Sequence, residues 1–334
     1  MAPTQYQQLT TDDVDQFMQH GFLKISNCFS QEQADKLTST LWKRLGMSPT
    51  DKSTWHTERI NMPSHTNFEA SEFAPKAWAA ICDLVGGEQR IGDNSRTWSD
   101  GLIVNLGTPD GEGKDIRGQQ LPGWHTDGDF FVHYLDSPEQ GLLVIPLFTD
   151  IVAGGGGTFI CPTAIPRMAQ HLYDHPDGVS PRMTPRLVNP EMKNETSLAW
   201  FCNVAKTTPE EEIVEVTGKV GDIYLLHPLM LHSASNNKLR NLRVITNPPV
   251  SLKDPFIFDR EDESQYSIVE QKTLAALGKD RLQGWKITHE RQGLVPERVR
   301  LQAAMREQEL KRLQSEKAAP EVSVAKVVSL HSFT

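Results

Sequence analysis

The chain has 334 residues, of which 38% are hydrophobic, a formal net charge of −9 and a pI near 5.7. That hydrophobic content can bury a sizeable core, while the acidic balance provides no basic surface for nucleic acid. No apolar run approaches the length that crosses a bilayer, and the N-terminus lacks the basic and apolar sections of a secretory signal, so we expect a cytoplasmic protein that binds neither membrane nor nucleic acid.

The N-terminal part favours a helical entry, over 10–98, that contains a short strand. The polar run 10–13 can cap a first helix, which Gly21 ends. The apolar segment Phe22–Ile25 predicts a strand directly after that glycine. The spacing of apolar residues over 30–45 then predicts a second, continuous helix.

Short apolar runs separated by Gly, Pro, Asn and Asp follow from about 100 to 250. They lie at 102–104, 141–148, 158–160, 213–216, 223–226 and 242–246. Runs of this length with turn residues between them are typical of an all-β sandwich or barrel. We find no amphipathic helix pattern between them that would indicate a parallel α/β sheet. The sequence therefore predicts a mainly β jelly roll with flanking helices.

The C-terminal part returns to helix. Residues 254–284 favour one helical segment, and 296–317 carry leucines and a methionine among many charges. The second segment fits two roles, either packing along the domain surface or self-association as a homodimer. We expect 1–317 to form a single domain, with its C-terminal helices over 254–317, and 318–334 to form a flexible tail.

The cysteines indicate neither disulfide bonds nor a zinc site. They are widely spaced and form no Cys-x-x-Cys pair, at Cys28, Cys82, Cys161 and Cys202. Because most of them lie beside apolar residues, we expect buried free thiols.

A His-x-Asp motif provides the first candidate metal ligands. On a strand, alternate side chains share a face, so His125 and Asp127 would point the same way, about 7 Å apart along the chain. Alone the motif is weak, because His-x-acid also occurs at 56–58 and 175–177. We expect both of those to be surface positions, the second because Pro176 disrupts a regular strand.

A second segment supplies a partner for this motif. In 221–243, a Gly-Asp turn leads into an apolar strand followed by His227 and His232, and basic residues come next. Two histidines and one carboxylate on one face of an ion form the facial triad of non-haem Fe(II) oxygenases. The open positions can hold the 2-oxo acid end of a co-substrate and O₂, and a guanidinium can bind the far carboxylate. Strand alternation favours Arg243 for that role, with Arg240, nearer the turn, as the alternative.

With these motifs the chain resembles the phytanoyl-CoA dioxygenase family, most of all its fungal members. The resemblance covers about 10–250 and includes the strand opening, the His125-x-Asp127 motif and the Gly-Asp to Arg signature. It implies a cupin-like double-stranded β-helix that uses Fe(II), 2-oxoglutarate and O₂. It also implies that His232 completes the metal site, since the family's third ligand has Asn five and Arg eleven residues later, and that Arg243 binds 2-oxoglutarate.

The resemblance assigns roles to further positions. Thr158 matches a family position whose hydroxyl contacts 2-oxoglutarate, with an ordinary strand threonine as the alternative. Asn105 is a second candidate for that contact, and His227 is expected beside the pocket rather than on the metal. Pro122 stands where some members carry Gln, so a contact there is lost or supplied elsewhere. The presence of Asp127 disfavours halogenation, because related halogenases carry a small residue instead.

Aromatic residues around the metal motif predict an apolar wall for a small or medium organic substrate, with core packing as the alternative for each. They are Trp124, Phe130, Phe131, His133 and Tyr134.

These observations predict an Fe(II)/2-oxoglutarate-dependent dioxygenase with His125, Asp127 and His232 at its catalytic metal centre. We expect it to hydroxylate, desaturate or cyclise a small molecule in fungal secondary or small-acid metabolism. Two other classes stay open. A cupin-like metal-dependent isomerase or hydrolase would need no Arg243, and a non-catalytic binding module would not retain iron.

Overall fold

The structure is a computed structural model that describes residues 6–192 and 195–315. Its helices are α1 (Thr11–His20), α2 (Gln31–Thr38), α3 (Leu41–Leu45), α4 (Ala70–Phe73), α5 (Pro75–Val85), α6 (Ile165–Asp174), α7 (Ala199–Lys206), α8 (Ile268–Ala276) and α9 (Arg298–Ser315). Its strands are β1 (Phe22–Ile25), β2 (Arg59–Asn61), β3 (Asn67–Glu69), β4 (Thr97–Ser99), β5 (Ile103–Asn105), β6 (Leu142–Pro146), β7 (Thr158–Cys161), β8 (Val214–Glu215), β9 (Ile223–Leu226), β10 (Leu231–Ala234), β11 (Arg243–Ile245) and β12 (Pro249–Val250). The predicted tail, 318–334, lies outside the described residues.

Two antiparallel layers form the core, and β3 pairs with β4 in a separate two-stranded sheet. The larger has the strand order β1-β9-β6-β12, and a bridge between Leu147 and Ile245 joins it to β11-β5-β2. The smaller has the order β10-β7-β8, and a bridge between His125 and His232 extends its edge. Apolar side chains from both sheets and the surrounding helices belong to one hydrophobic cluster. The prediction of a mainly β fold of the jelly-roll, double-stranded β-helix type with flanking helices is confirmed.

In the N-terminal entry, the first helix and the first strand begin and end where the sequence predicts. Thr10 caps α1 in a reciprocal capping box with Asp13, and Gly21 ends the helix in the left-handed conformation, with φ of 71°. Strand β1 has the predicted bounds and pairs with β9 along its whole length. The entry therefore contributes the edge strand of the larger sheet.

The predicted helix over 30–45 was wrong in its continuity. It divides into α2 and α3 at Ser39 and Thr40. The Thr38 hydroxyl donates to the Ala34 carbonyl at 2.9 Å, and the Ser39 hydroxyl donates to the Lys36 carbonyl at 2.8 Å. Hydroxyls that bind nearby backbone oxygens compete with the helical hydrogen-bond pattern, which gives this stretch a break.

Helices also occur where none was expected. Helices α6 and α7 lie between β7 and β8, inside the segment that the sequence predicted to be free of helices. Helix α6 buries residues at the i, i+3, i+4, i+7 spacing of a helix face, namely Ile165, Met168, Ala169 and Leu172. The helix predicted over 254–284 was too long, because within it only α8 is α-helical and begins at a capping box on Ser267.

Helix α9 packs along α3, and its contact with the domain is ionic as well as apolar. Glu309 is only 2% exposed, and its Oε2 accepts from Arg44 Nε at 2.9 Å and lies 2.7 Å from His65 Nε2. Arg44 also binds the Asp100 carboxylate at 2.9 Å. In 6–192 and 195–315, α9 and the other helices are too short or too polar to span a membrane.

We predict that Glu309→Ala lowers the free energy of unfolding by about 3 kcal/mol, because removing one member of a buried ionic cluster leaves Arg44 undercompensated. Urea denaturation followed by circular dichroism measures the change. Glu307→Ala, on the exposed face of the same helix, should change stability by less than about 0.5 kcal/mol. Equal losses in the two variants would show that the cluster does not anchor α9.

Candidate metal centre

The structure brings the three predicted metal ligands together. One ligand atom from each of His125, Asp127 and His232 lies within 4.8 Å of the others. The Nε2 atoms of both histidines lie 3.5 Å from Asp127 Oδ1. This spacing places one donor atom from each residue close enough to share a single metal ion.

Backbone pairing explains why the two rings meet. His232 lies on β10, and its N–H and carbonyl exchange hydrogen bonds with those of His125, both at 2.9 Å. Directly opposed residues of antiparallel strands carry their side chains on the same face, so the ring centroids are 4.3 Å apart. His125 forms only this isolated bridge, and Asp127 lies in a bend directly before Gly128, which has φ of 112°. The bend, rather than strand alternation alone, turns the carboxylate towards the rings.

Hydrogen bonds orient each donor. His125 Nδ1 lies 2.7 Å from the Gly123 carbonyl and His232 Nδ1 lies 3.0 Å from the Met230 carbonyl, so each Nδ1 carries the proton. Each Nε2 therefore faces Asp127 Oδ1, and its lone pair becomes available to a metal when Nε2 loses the proton that it directs at that carboxylate in the metal-free protein. Asn247 Nδ2 donates to Asp127 Oδ2 at 3.1 Å and leaves Oδ1 facing the histidines.

The electrostatics suit a divalent cation. Burial alone would raise the pKa of Asp127, but the charge of His232 and hydrogen bonds from both histidines hold that pKa well below its usual range. Burial lowers the pKa of His232, yet the nearby Asp127 charge gives a net rise. An ionised carboxylate beside two imidazole nitrogens is a donor set that fits Fe(II) and related first-row metals.

Arg243 lines the same cleft, whose volume is about 810 Å³. It is 2% exposed; Nε donates to the Gly156 carbonyl at 2.7 Å and Nη1 to the Ile103 carbonyl at 3.3 Å. Burial, with the charge of Arg59, lowers the pKa of Arg243 to about 10, which still leaves it a cation at neutral pH. Within the described residues no carboxylate forms an ion pair with it. Thr158, on β7, lines the cleft as well.

Arg240, the alternative to Arg243, faces elsewhere. Its guanidinium lies 5.6 Å from the centre of the Trp55 ring and 3.6 Å from the Glu112 carboxylate. It has a left-handed φ of 47° and is not among the residues that line the cleft.

Two other sequence candidates have structural roles. The Asn105 amide donates to the Gly156 and Ser235 carbonyls, and its oxygen accepts from the Gly107 N–H, so the side chain is occupied by backbone. His227 is fully buried outside the cleft lining. Its Nδ1 accepts from the Leu229 N–H at 3.2 Å, so its protonated Nε2 donates to the Thr273 hydroxyl at 3.0 Å.

The predicted aromatic wall is mostly core. Of those five residues only Phe130 lines the cleft. Trp124 is buried with its indole N–H on the Gly118 carbonyl, and Phe131 stacks on His133. The competing histidines also lie away from the site, with His56 exposed and His175 half-buried against the His171 carbonyl. The four cysteines are free, three of them buried, as predicted.

Several residues that line the cleft were not identified as site residues from the sequence. They are Arg59, Trp98, Arg182, Asn247, Arg298 and Gln302. A local signal existed for Asn247, which follows Arg243 by four residues and so shares its strand face. The others come from segments far apart along the chain, where local patterns carry no signal of shared location.

No protein-family model matches the chain, and no curated protein matches it. HygX from Streptomyces hygroscopicus, with nickel and 2-oxoglutarate bound, is 13% identical over 73% of this chain and 88% of HygX, with a TM-score of 0.39. SnoK, an alpha-ketoglutarate-dependent carbocyclase from nogalamycin biosynthesis, is 16% identical over 75% and 87%, with a TM-score of 0.39. Hypothetical protein JW0805 from Escherichia coli is 13% identical over 81% and 82%, with a TM-score of 0.43. Likenesses this distant assign no activity, so the chemistry rests on the geometry described above.

We predict that Asn247→Ala weakens metal binding roughly tenfold, because an outer hydrogen bond that fixes a ligating carboxylate contributes to affinity. Calorimetric titration of Ni(II) into metal-free protein measures the effect. Asn61→Ala, at another position of the cleft lining, is the matched control and should bind as the wild type does. An unchanged affinity in Asn247→Ala would mean that Asp127 needs no such support.

We predict that His227 makes the protein less stable in acid. Burial, then the Lys272 charge, lowers the pKa of His227 to about 3 from an ordinary value of 6.5. Between these values the unfolded chain binds a proton that the folded chain does not, so the free energy of unfolding falls as pH falls. In His227→Gln the fall from pH 6.5 to 4.5 should be smaller by about 2 kcal/mol.

Urea denaturation at a series of pH values measures this difference. His20→Gln, at an exposed position, should follow the wild-type pH dependence. Parallel pH profiles for His227→Gln and the wild type would refute the assignment of a neutral buried histidine.

Proposed function

We propose that the chain is a non-haem Fe(II)/2-oxoglutarate-dependent dioxygenase that oxidises a small organic molecule. His125, Asp127 and His232 would hold the iron, and Arg243 and Thr158 would bind 2-oxoglutarate. The observation that carries the proposal is the joint occurrence, in one cleft, of a two-histidine, one-carboxylate donor set and a buried arginine with no carboxylate partner among the described residues.

The buried guanidinium favours the oxygenase over the other metal-dependent classes. Placing a cation in a protein interior costs free energy unless an opposite charge compensates it. Arg243 has two carbonyl contacts, which satisfy part of its donor capacity but not its charge. The distal carboxylate of a 2-oxo dicarboxylic acid supplies the missing charge and accepts paired hydrogen bonds. A metal-dependent isomerase, hydrolase or binding module that acts on a neutral ligand would not need such a residue.

The remaining roles, holding the metal and orienting the co-substrate, would fall to residues of the cleft. Ferrous iron with 2-oxoglutarate supplies, when bound, the activation of O₂ that is coupled to loss of CO₂ and formation of succinate. Three protein ligands would leave positions free for the co-substrate, and Asn247 holds Asp127 with Oδ1 towards the two histidines. Thr158 and Arg243 line the cleft beside them, where they would orient the co-substrate before the substrate is oxidised.

We infer the finer assignment from the sequence motifs. The chain would be a fungal-type relative of the phytanoyl-CoA dioxygenases that acts in secondary or small-acid metabolism by hydroxylation, desaturation or cyclisation. It would work as one domain over 1–317, which the continuous hydrophobic cluster from the N-terminal helices to α9 supports.

The test is binding of 2-oxoglutarate to the Ni(II)-loaded protein by calorimetry, together with succinate formation by the Fe(II) form in air. We predict that Arg243→Met weakens 2-oxoglutarate binding roughly 100-fold, because two charge-assisted hydrogen bonds are lost. Ni(II) binding should stay unchanged, since Arg243 is not a ligand.

Arg240→Met is the control, and it should bind 2-oxoglutarate as the wild type does. A loss in Arg240→Met with none in Arg243→Met would transfer the role to Arg240. Wild-type protein that binds Ni(II) but neither binds 2-oxoglutarate nor forms succinate would refute the proposal and favour the isomerase or binding-module class.

A further inference from the structure

The cleft carries more positive charge than the proposed metal and co-substrate account for. Its charged lining residues, among those described, are Arg59, Arg182, Arg243, Arg298, Asp127 and Asp129. Four arginines against two aspartates leave two positive charges. The charges of Fe(II) and the 2-oxoglutarate dianion cancel, so the loaded cleft would keep the same two. This excess occurs in a chain whose net charge is −9.

Two of the arginines have carboxylate partners. Arg298 binds Asp129 through two parallel contacts, from Nε at 2.7 Å and from Nη2 at 2.8 Å. Both oxygens of that carboxylate are therefore occupied. Arg59 lies 3.5 Å from Glu58, which is outside the cleft lining. With Arg243 assigned to the co-substrate, one guanidinium remains to be explained.

That guanidinium belongs to Arg182. In the described part of the chain it has no ion pair, and its Nε is buried without a hydrogen-bond partner. The pKa of His133 is lowered to about 4, chiefly by burial and also by the nearby Arg182 charge, against the Gly128 hydrogen bond and the Asp129 charge, which raise it. His133 Nε2 contacts the Gly128 carbonyl, so Arg182 lies near the segment that directly follows Asp127.

Hydrogen bonds order the turn that carries Arg182. Ser180 is fully buried, and its hydroxyl accepts from the backbone N–H of Arg182 at 3.1 Å and of Thr184 at 3.2 Å. The Ser180 N–H donates to the Thr184 carbonyl at 2.8 Å, and the neighbouring Val179 bridges to His133. The backbone at Arg182 is therefore held in an ordered turn that packs against the segment of His133.

We propose that the substrate carries an anionic group, a carboxylate or a phosphate, and that Arg182 binds it. The inference rests on the proposed function, because the charge balance includes its metal and co-substrate. An uncompensated cation in a cleft selects an anion by charge and by paired hydrogen bonds. Phe130, Leu142 and Leu198 line the same cleft and would contact an apolar part of the substrate.

The experiment uses simple probes on Ni(II)-loaded protein saturated with 2-oxoglutarate. Benzoate, its neutral isostere benzamide, and phenyl phosphate are each titrated by calorimetry. We expect wild-type protein to bind benzoate or phenyl phosphate at least roughly tenfold tighter than benzamide, since only the anions form charge-assisted bonds. Whichever anion binds more tightly identifies the group.

Variants test whether Arg182 causes the preference for anions over benzamide. Arg182→Met should abolish it, Arg182→Lys should keep part of it, and all variants should bind 2-oxoglutarate as the wild type does. Arg186→Met is the matched control from the same loop, because Arg186 binds the Asp177 carbonyl and does not line the cleft.

Equal binding of anions and benzamide, binding of neither, or a preference that survives in Arg182→Met would overturn the proposal. Failure of the proposed function gives a different result. Protein that binds no 2-oxoglutarate yet prefers benzoate in an Arg182-dependent manner would refute the oxygenase assignment and keep the anion site.

Discussion

The candidate site depends on one pair of backbone hydrogen bonds, exchanged between His125 and His232 at the edge of the smaller sheet. The register of β10 against β7 sets which residue meets His125, because a shift of one residue would present Leu231 or Ser233 instead. Leu231, His232 and Ser233 are all buried, so a shift would exchange apolar and polar side chains inside the core and would be costly. The metal geometry is thus a consequence of sheet register, and the bend after His125 only adds the carboxylate.

The buried cation is the second constraint. Arg243 and Asn105 are opposite each other on neighbouring strands, and both donate to the Gly156 carbonyl. Gly156 has φ of 82°, and a side chain there would lie 2.7 Å from Asn237 Cβ, so the turn requires glycine. This turn holds the guanidinium beside the metal donors before any ligand arrives. A site ordered in this way loses little conformational entropy when an anion binds.

Three of the arginines that line the cleft come from distant parts of the chain. Arg59 lies on a strand of the N-terminal entry, Arg182 on the segment after α6, and Arg298 on the C-terminal helix. The last is tied to Asp129, while Glu309 anchors the other part of the helix in a buried ionic cluster. The central strands would therefore supply the metal and co-substrate residues, and these three distant segments would supply the charge pattern that selects the substrate.

Local patterns in the sequence determined the mainly β class, the bounds of β1 and β9, and the residues proposed to hold the metal. Strand alternation, capping residues and the His-x-Asp spacing act over a few residues and can be recognised without a structure. The break between α2 and α3, the helices between β7 and β8, and the meeting of Arg59, Arg182 and Arg298 in one cleft were decided by tertiary structure. Competition from hydroxyl side chains and contacts between distant segments cause these features, and neither appears in hydrophobic periodicity.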